Sequence, residues 1–238
     1  MTKAMLSRRG VEFDAFDVEN DPEAARQLRE LGFSSVPVVV VGERSVSGWN
    51  PTKLAELVGF PIQEKTGGPE ELVSSLRIIL DAALRAVRQL PDDGLERMAP
   101  GRNRPLRELV RHLFHVIEVS VDADLLSTFP AGAWLAAKDI PSLNTQAQLR
   151  RYGEAVRAKF EAWYGNTPPD PTVFSRVLDA DVGPRTLEQV LQRTRLHAAQ
   201  HLRQLYAFHR WFGVTSDQPL SDDALQAMGL TDLPDELF

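Results

Sequence analysis

The chain has 238 residues, 43% hydrophobic and 25% charged, with 33 acidic and 27 basic side chains and a net charge of −6. That length is enough to bury a core in one large domain or two small ones. The acidic balance excludes a general nucleic-acid binder, which carries a basic face. No apolar run is long enough to span a membrane, and no signal-peptide pattern opens the chain. Without cysteine there is no disulfide, thiolate metal ligand or cysteine nucleophile. These features predict a cytoplasmic protein.

The first segment mixes strand and helix. Val11–Phe16 alternates apolar and polar residues after Gly10 and predicts a strand. Asp21-Pro22-Glu23 supplies an N-cap, a proline at the first helical position and an acid in the first turn. The helix it opens runs through Ala25, Leu28 and Leu31 and stops at Gly32. Val36–Val41, valines broken only by Pro37, suits a buried strand, and Gly42-Glu43-Arg44 turns it into a short strand through Val46. Asn50-Pro51 opens a second capped helix, Thr52–Val58.

Pro61 and the Gly67-Gly68-Pro69 cluster mark residues 61–69 as a linker between a domain at 1–60 and a second at 70–238. Strand signals nearly vanish beyond it. Glu70–Leu90 carries a helical stripe of Leu72, Leu76, Ile79, Leu80, Ala83 and Val87. Further helices are predicted over Pro105–Leu126, Gln146–Tyr164 and Thr186–Phe212, the last capped by Thr186 and stopped by Gly213. Four long amphipathic helices predict a four-helix bundle. The connections 91–104 and 127–142 are expected to hold short helical turns, and the acidic tail from Thr215 to pack loosely.

All five histidines, at 112, 115, 197, 201 and 209, fall in the helical part. His197 and His201 are four apart on the last helix, so their side chains leave one face about a turn apart. Two imidazoles at that spacing hold one transition metal when a third ligand joins them. A bare HxxxH is more often two hydrogen-bonded structural histidines, but a histidine on a second helix of the same bundle reverses that preference. His112 and His115 both satisfy the spacing, and the residues alone do not separate them.

Leu109-Val110-Arg111-His112-Leu113 and His197-Ala198-Ala199-Gln200-His201-Leu202-Arg203-Gln204-Leu205 resemble the DinB/YfiT-like superfamily, up to the related mycothiol-dependent maleylpyruvate isomerases. Residues 70–212 carry the likeness. It implies a metal on His112, His197 and His201 and leaves His115 as a pocket-lining or packing residue. Arg203 and Gln204 are expected near the pocket mouth, His209 is expected to be structural, and Glu118 is given no metal role. An all-imidazole site suits zinc first and nickel second. The resemblance further implies a diffusible thiol, mycothiol, bacillithiol or glutathione, that attacks an electrophilic substrate. Metal-assisted hydrolysis and a non-catalytic metal-binding or redox-adaptor role are the alternatives. A homodimer is compatible with the reading, and nucleic-acid or membrane partners are not expected.

Residues 1–60 resemble glutaredoxins, closest to the small redoxins that serve ribonucleotide reductase. Thr2-Lys3-Ala4-Met5-Leu6, Gly10-Val11-Glu12-Phe13, Asp17-Val18 and Gly32-Phe33-Ser34-Ser35-Val36-Pro37-Val38 carry the match, and Ser47-Gly48-Trp49-Asn50-Pro51-Thr52-Lys53-Leu54 completes it. The likeness implies a cis Val36–Pro37 peptide and a thiol-binding groove at Val36, Pro37 and Gly48. The family's Cys-x-x-Cys and first strand would lie just before Thr2, so this chain has no catalytic cysteine and dithiol exchange is excluded for it. A start site chosen too late is the favoured account, and degeneration into a docking module the other. The missing strand is expected to leave a gap between Val11–Phe16 and Val36–Val41, or to force them to pair. The expected architecture is thus an α+β two-domain chain, a partial thioredoxin-like fold followed by an all-α DinB-like bundle.

Overall fold

The computed structural model describes residues 2–18, 20–33, 36–48, 51–60, 67–98, 104–129, 143–180 and 184–230. They fall into two compact units, drawn from Met1–Lys65 and from Thr66–Thr231. Residues 61–66 of the expected linker, Ser34-Ser35, Trp49-Asn50 and the end of the acidic tail lie outside the described residues, as do 99–103 and 130–142 of the two long connections.

The first unit opens with helix α1 (Thr2–Arg8), which the patterning did not reveal. Helix α2 (Pro22–Glu30) starts where expected, because the Asp21 carboxylate accepts hydrogen bonds from the Glu23 and Ala24 amides. Its end is set by Gly32 at φ +82. Strands β1 (Val38–Val41) and β2 (Arg44–Ser47) form an antiparallel hairpin, and helix α3 (Pro51–Val58) packs on it. Leu54, Ala55 and Leu57 on α3 are buried, as are Met5 and Leu6 on α1.

Two expectations fail in this unit. Val11–Phe16 forms no strand, and Phe16 is 63% exposed. Among the described residues no strand lies beside it, and a strand exists only through a neighbour's hydrogen bonds. Val11–Phe16 therefore neither pairs with β1 nor stands as a strand across a gap from it. Nor is β1 buried, since Val40 and Val41 are 43% and 42% exposed. With β2 as its single described neighbour, the valine run keeps an open edge.

The second unit is built on α4 (Pro69–Val87), α5 (Leu106–Leu126), α6 (Gln146–Asn166) and α8 (Leu187–Trp211). Both α4 and α5 pack against α6 and α8, so each long helix has two long neighbours. Capping boxes at Thr145 and Thr186 fix the starts of α6 and α8. Gly153 on α6 lets that helix approach α5 closely, because a Cβ there would come within 2.5 Å of the buried Phe114 ring.

Strand signals had nearly vanished here, yet a small sheet is present. Strand β3 (Thr128–Phe129) pairs in parallel with β4 (Val177–Ala180), which follows short helix α7 (Pro171–Phe174) and pairs antiparallel with β5 (Arg185–Thr186). Strands of two to four residues carry no readable periodicity, so the pattern was hidden. The buried Asp124 carboxylate ties this corner together by accepting from Trp163 Nε1 at 2.9 Å and from Arg176 at 2.5 Å. Asp92–Gly94 forms the 3-10 turn expected in the first connection.

The tail does not pack loosely over its described length. Gln89 Nε2 donates to the Thr215 carbonyl at 2.8 Å, and Gln89 Oε1 accepts from the Asp217 amide at 2.7 Å. Helix α9 (Asp222–Ala227) is capped by Ser221, and Leu225, Met228 and Leu230 are buried. Asp222 and Asp223 occupy the first turn of α9, where the helix dipole favours them, while Leu225, Met228 and Leu230 turn inward. No helix of the described residues is long and apolar enough to cross a membrane.

Candidate metal centre

The candidate centre forms where α5 packs against α8. On α8 the buried stripe includes Leu191, Thr194, Ala198, His201, Leu202 and Leu205, so His201 lies in it. His197, one turn earlier, is half-buried. On α5 His112 sits among Leu109, Val110, Leu113 and Val116, all buried, and is only 5% exposed.

These elements bring the ring nitrogens of His112, His197 and His201 within 4.8 Å of one another. Nε2 of His112 and Nε2 of His197 are 3.3 Å apart. That is about the spacing of two nitrogens bound roughly 2.0–2.1 Å from one ion at the tetrahedral angle. His201 Nδ1 donates to Gln204 Oε1 at 2.7 Å, which leaves Nε2 as its ligand nitrogen. His115 is not in the cluster.

Electrostatics keep the His112 and His197 imidazoles in their ligand form. Burial pushes His112 far below the usual histidine range, helped by the neighbouring His201 and His197 and by the Arg104 charge. His197 is lowered well below the usual value, first by burial and then by His201, Arg193 and Arg104. Neutral imidazole is the form that binds metal. Three imidazole nitrogens without a carboxylate suit a borderline ion such as Zn(II) or Ni(II), so the residues present fit a divalent transition metal.

The other singled-out residues have partners of their own. His115 is buried, with Nδ1 3.8 Å from Glu118 Oε2. Glu118 accepts from the Tyr152 hydroxyl at 2.6 Å and lies 3.5 Å from Lys159 Nζ, joining α5 to α6. His115, then Tyr152 and Lys159, hold the Glu118 carboxyl down to about 2 against the opposing effect of its burial. Arg203 is two residues past His201, about 200° around α8, and pairs with Asp222 at 3.5 Å. His209 is fully buried, with Nε2 3.0 Å from the Ala86 carbonyl and Nδ1 2.8 Å from Ser216 Oγ, a structural position.

Sequence reasoning gave Gln204 no contact with a histidine, although its place three residues after His201 was a readable signal. It also passed over Arg104 and Arg193, the latter one turn before His197 on α8. In the first unit, Val36–Pro37 is cis, and the Gly48 amide, at φ +74, donates to the Pro37 carbonyl at 2.8 Å. Val36 is 54% exposed.

Comparison with known proteins matches both parts. The glutaredoxin family model matches residues 1–46, and the DinB superfamily model matches residues 75–205. The glutaredoxin-like protein NrdH of Escherichia coli K12 is 41% identical over 60 residues, 25% of this chain and 74% of that protein. NrdH of Lactococcus lactis IL1403 is 33% identical over 57 residues, 24% of this chain and 79% of the relative. With more than half its length matched by one family model and its N-terminus similar to most of a small redoxin, the chain belongs to the DinB superfamily and carries a glutaredoxin segment ahead of its helical unit.

Proposed function

We propose that the helical unit holds one divalent transition-metal ion, zinc first and nickel second, on His112, His197 and His201, and serves a transferase or isomerase reaction that uses a low-molecular-weight thiol. The observation that carries this reading is the cluster of three imidazoles, His112 and His201 buried and His197 half-buried, with no carboxylate among them and with His112 and His197 held neutral. When bound, such an ion supplies Lewis acidity that brings the pKa of a thiol or water toward about 7. The chain's own residues hold the geometry: α5 and α8 fix the three rings, and Gln204 fixes the His201 tautomer.

With no cysteine among the 238 residues, the thiol would be a diffusible molecule such as mycothiol, bacillithiol or glutathione. The redoxin segment supports the same chemistry by association. Its Gly48 amide, which donates to the Pro37 carbonyl, fixes the turn beside Val36 and fits a groove that offers backbone groups to a thiol-bearing ligand. A small thiol and an electrophile as partners, and a cytoplasmic location, belong to this proposal.

The test incubates zinc- and nickel-loaded protein with an electrophile panel and each of the three thiols, following thiol and electrophile together. Thiol-dependent loss of electrophile that disappears in His197→Ala is expected. Electrophile loss that needs metal but no thiol would identify a hydrolase instead.

A further inference from the structure

We propose that Gln204 is the positioning residue of the metal centre, and that its neutral amide makes the loaded centre a receptor for small anions. The inference rests on the reading of His112, His197 and His201 as ligands and goes beyond it by assigning a residue and a ligand charge.

Gln204 and His201 are one turn apart on α8, 6% and 7% exposed, and joined by a 2.7 Å hydrogen bond. The amide oxygen only accepts, so His201 carries its proton on Nδ1 and presents a bare Nε2 lone pair to the cluster. Without that bond the ring could rotate or adopt the other tautomer, and either change removes a ligand. Partners of this kind typically change metal affinity by about 10–100-fold.

The chemistry of the partner matters as much as its position. A carboxylate is a common partner of a metal-binding histidine, and it adds a negative charge behind the ring. Gln204 adds none. Among the described residues the three imidazoles and the amide behind one of them bring no carboxylate to the cluster, so they add no negative charge to a divalent ion held there. Arg104 and Arg193 stand close enough to act on the ligand histidines, and their charges add to that field. Glu108, four residues before His112 on α5, pairs with Arg107 and Arg111 at 2.6 Å each and also feels the Arg104 charge. A site with this balance favours an anion, a thiolate or a carboxylate, over a neutral ligand at its open position.

The experiment uses the full chain loaded with Co(II), a visible-absorbing stand-in for zinc, as wild type, Gln204→Leu and Gln204→Glu. Co(II) affinity comes from titration of the absorption bands, and anion affinity from azide titration of the loaded proteins. Gln204→Leu is expected to bind Co(II) about 10–100-fold more weakly. Gln204→Glu, which keeps the hydrogen bond and nearly the same shape, is expected to restore Co(II) binding and to bind azide about tenfold more weakly through like-charge repulsion. It also keeps the test open if the leucine variant fails to fold. Unchanged Co(II) affinity in Gln204→Leu would overturn the positioning role, and unchanged azide affinity in Gln204→Glu would overturn the anion role. Wild type that binds no Co(II) would remove the metal reading itself, a failure visible before any variant is compared.

Discussion

In the helical unit each long helix closes its own backbone hydrogen bonds and packs on two others, with Phe114, Phe160, Phe174 and Phe208 almost fully buried. In the N-terminal unit β1 has one described neighbour, its last two valines are more than 40% exposed, and Val11–Phe16 forms no ladder. The difference follows from where hydrogen bonds are made. A helix satisfies itself within four residues and needs its partners only to bury a stripe. A strand is incomplete until another segment lies beside it.

That contrast sets the expected size of single substitutions. Phe160→Ala removes a fully buried ring and is expected to destabilise the helical unit by about 3–5 kcal/mol in urea unfolding followed by circular dichroism. Phe16→Ala, at a residue 63% exposed, is expected to stay within about 0.5 kcal/mol. Similar losses at the two positions would break the comparison.

Acid should act next, and on the helical unit alone among the histidine-linked effects, because all five histidines lie there. Burial lowers His112, His197 and His209, so below pH of about 6.5 the unfolded chain takes up protons that the folded one resists. Stability of the metal-free protein is therefore full above that value and falls as the pH drops through it. A second loss begins as the pH falls below the ordinary glutamate range toward about 2, where Glu118 protonates. A lower urea midpoint at pH 5 than at pH 8, narrowed in His209→Gln, is the expected result. Equal midpoints would contradict it.

The smallest effects should be alike in the two units. Asp21 caps α2 and Thr145 caps α6, and alanine at either is expected to cost about 1 kcal/mol. Equal losses would sharpen the view that local signals work equally well in both, and that the units differ only in long-range pairing.

The same distinction explains what was legible in the sequence. Asp21, Thr186 and Gly213 announced helix ends because caps act within one turn. The i, i+4 spacing announced His197 and His201 for the same reason. The choice between His112 and His115 depends on which face of α5 meets α8, a tertiary fact that only the family resemblance anticipated. Strands β3–β5 were hidden because segments of two to four residues hold no period, and the Val11–Phe16 reading failed because alternation cannot show whether a partner strand is present. The packing of the tail rests on three apolar residues, Leu225, Met228 and Leu230, that the acidic composition around them concealed.

The central claim is that His112, His197 and His201 together hold one ion. Metal content of purified wild type, His112→Ala, His197→Ala, His201→Ala and His115→Ala, measured by mass spectrometry after equilibration with zinc, tests it most directly. About one ion per chain is expected in wild type and His115→Ala, and far less in the other three. Equal metal in all five proteins would contradict the account.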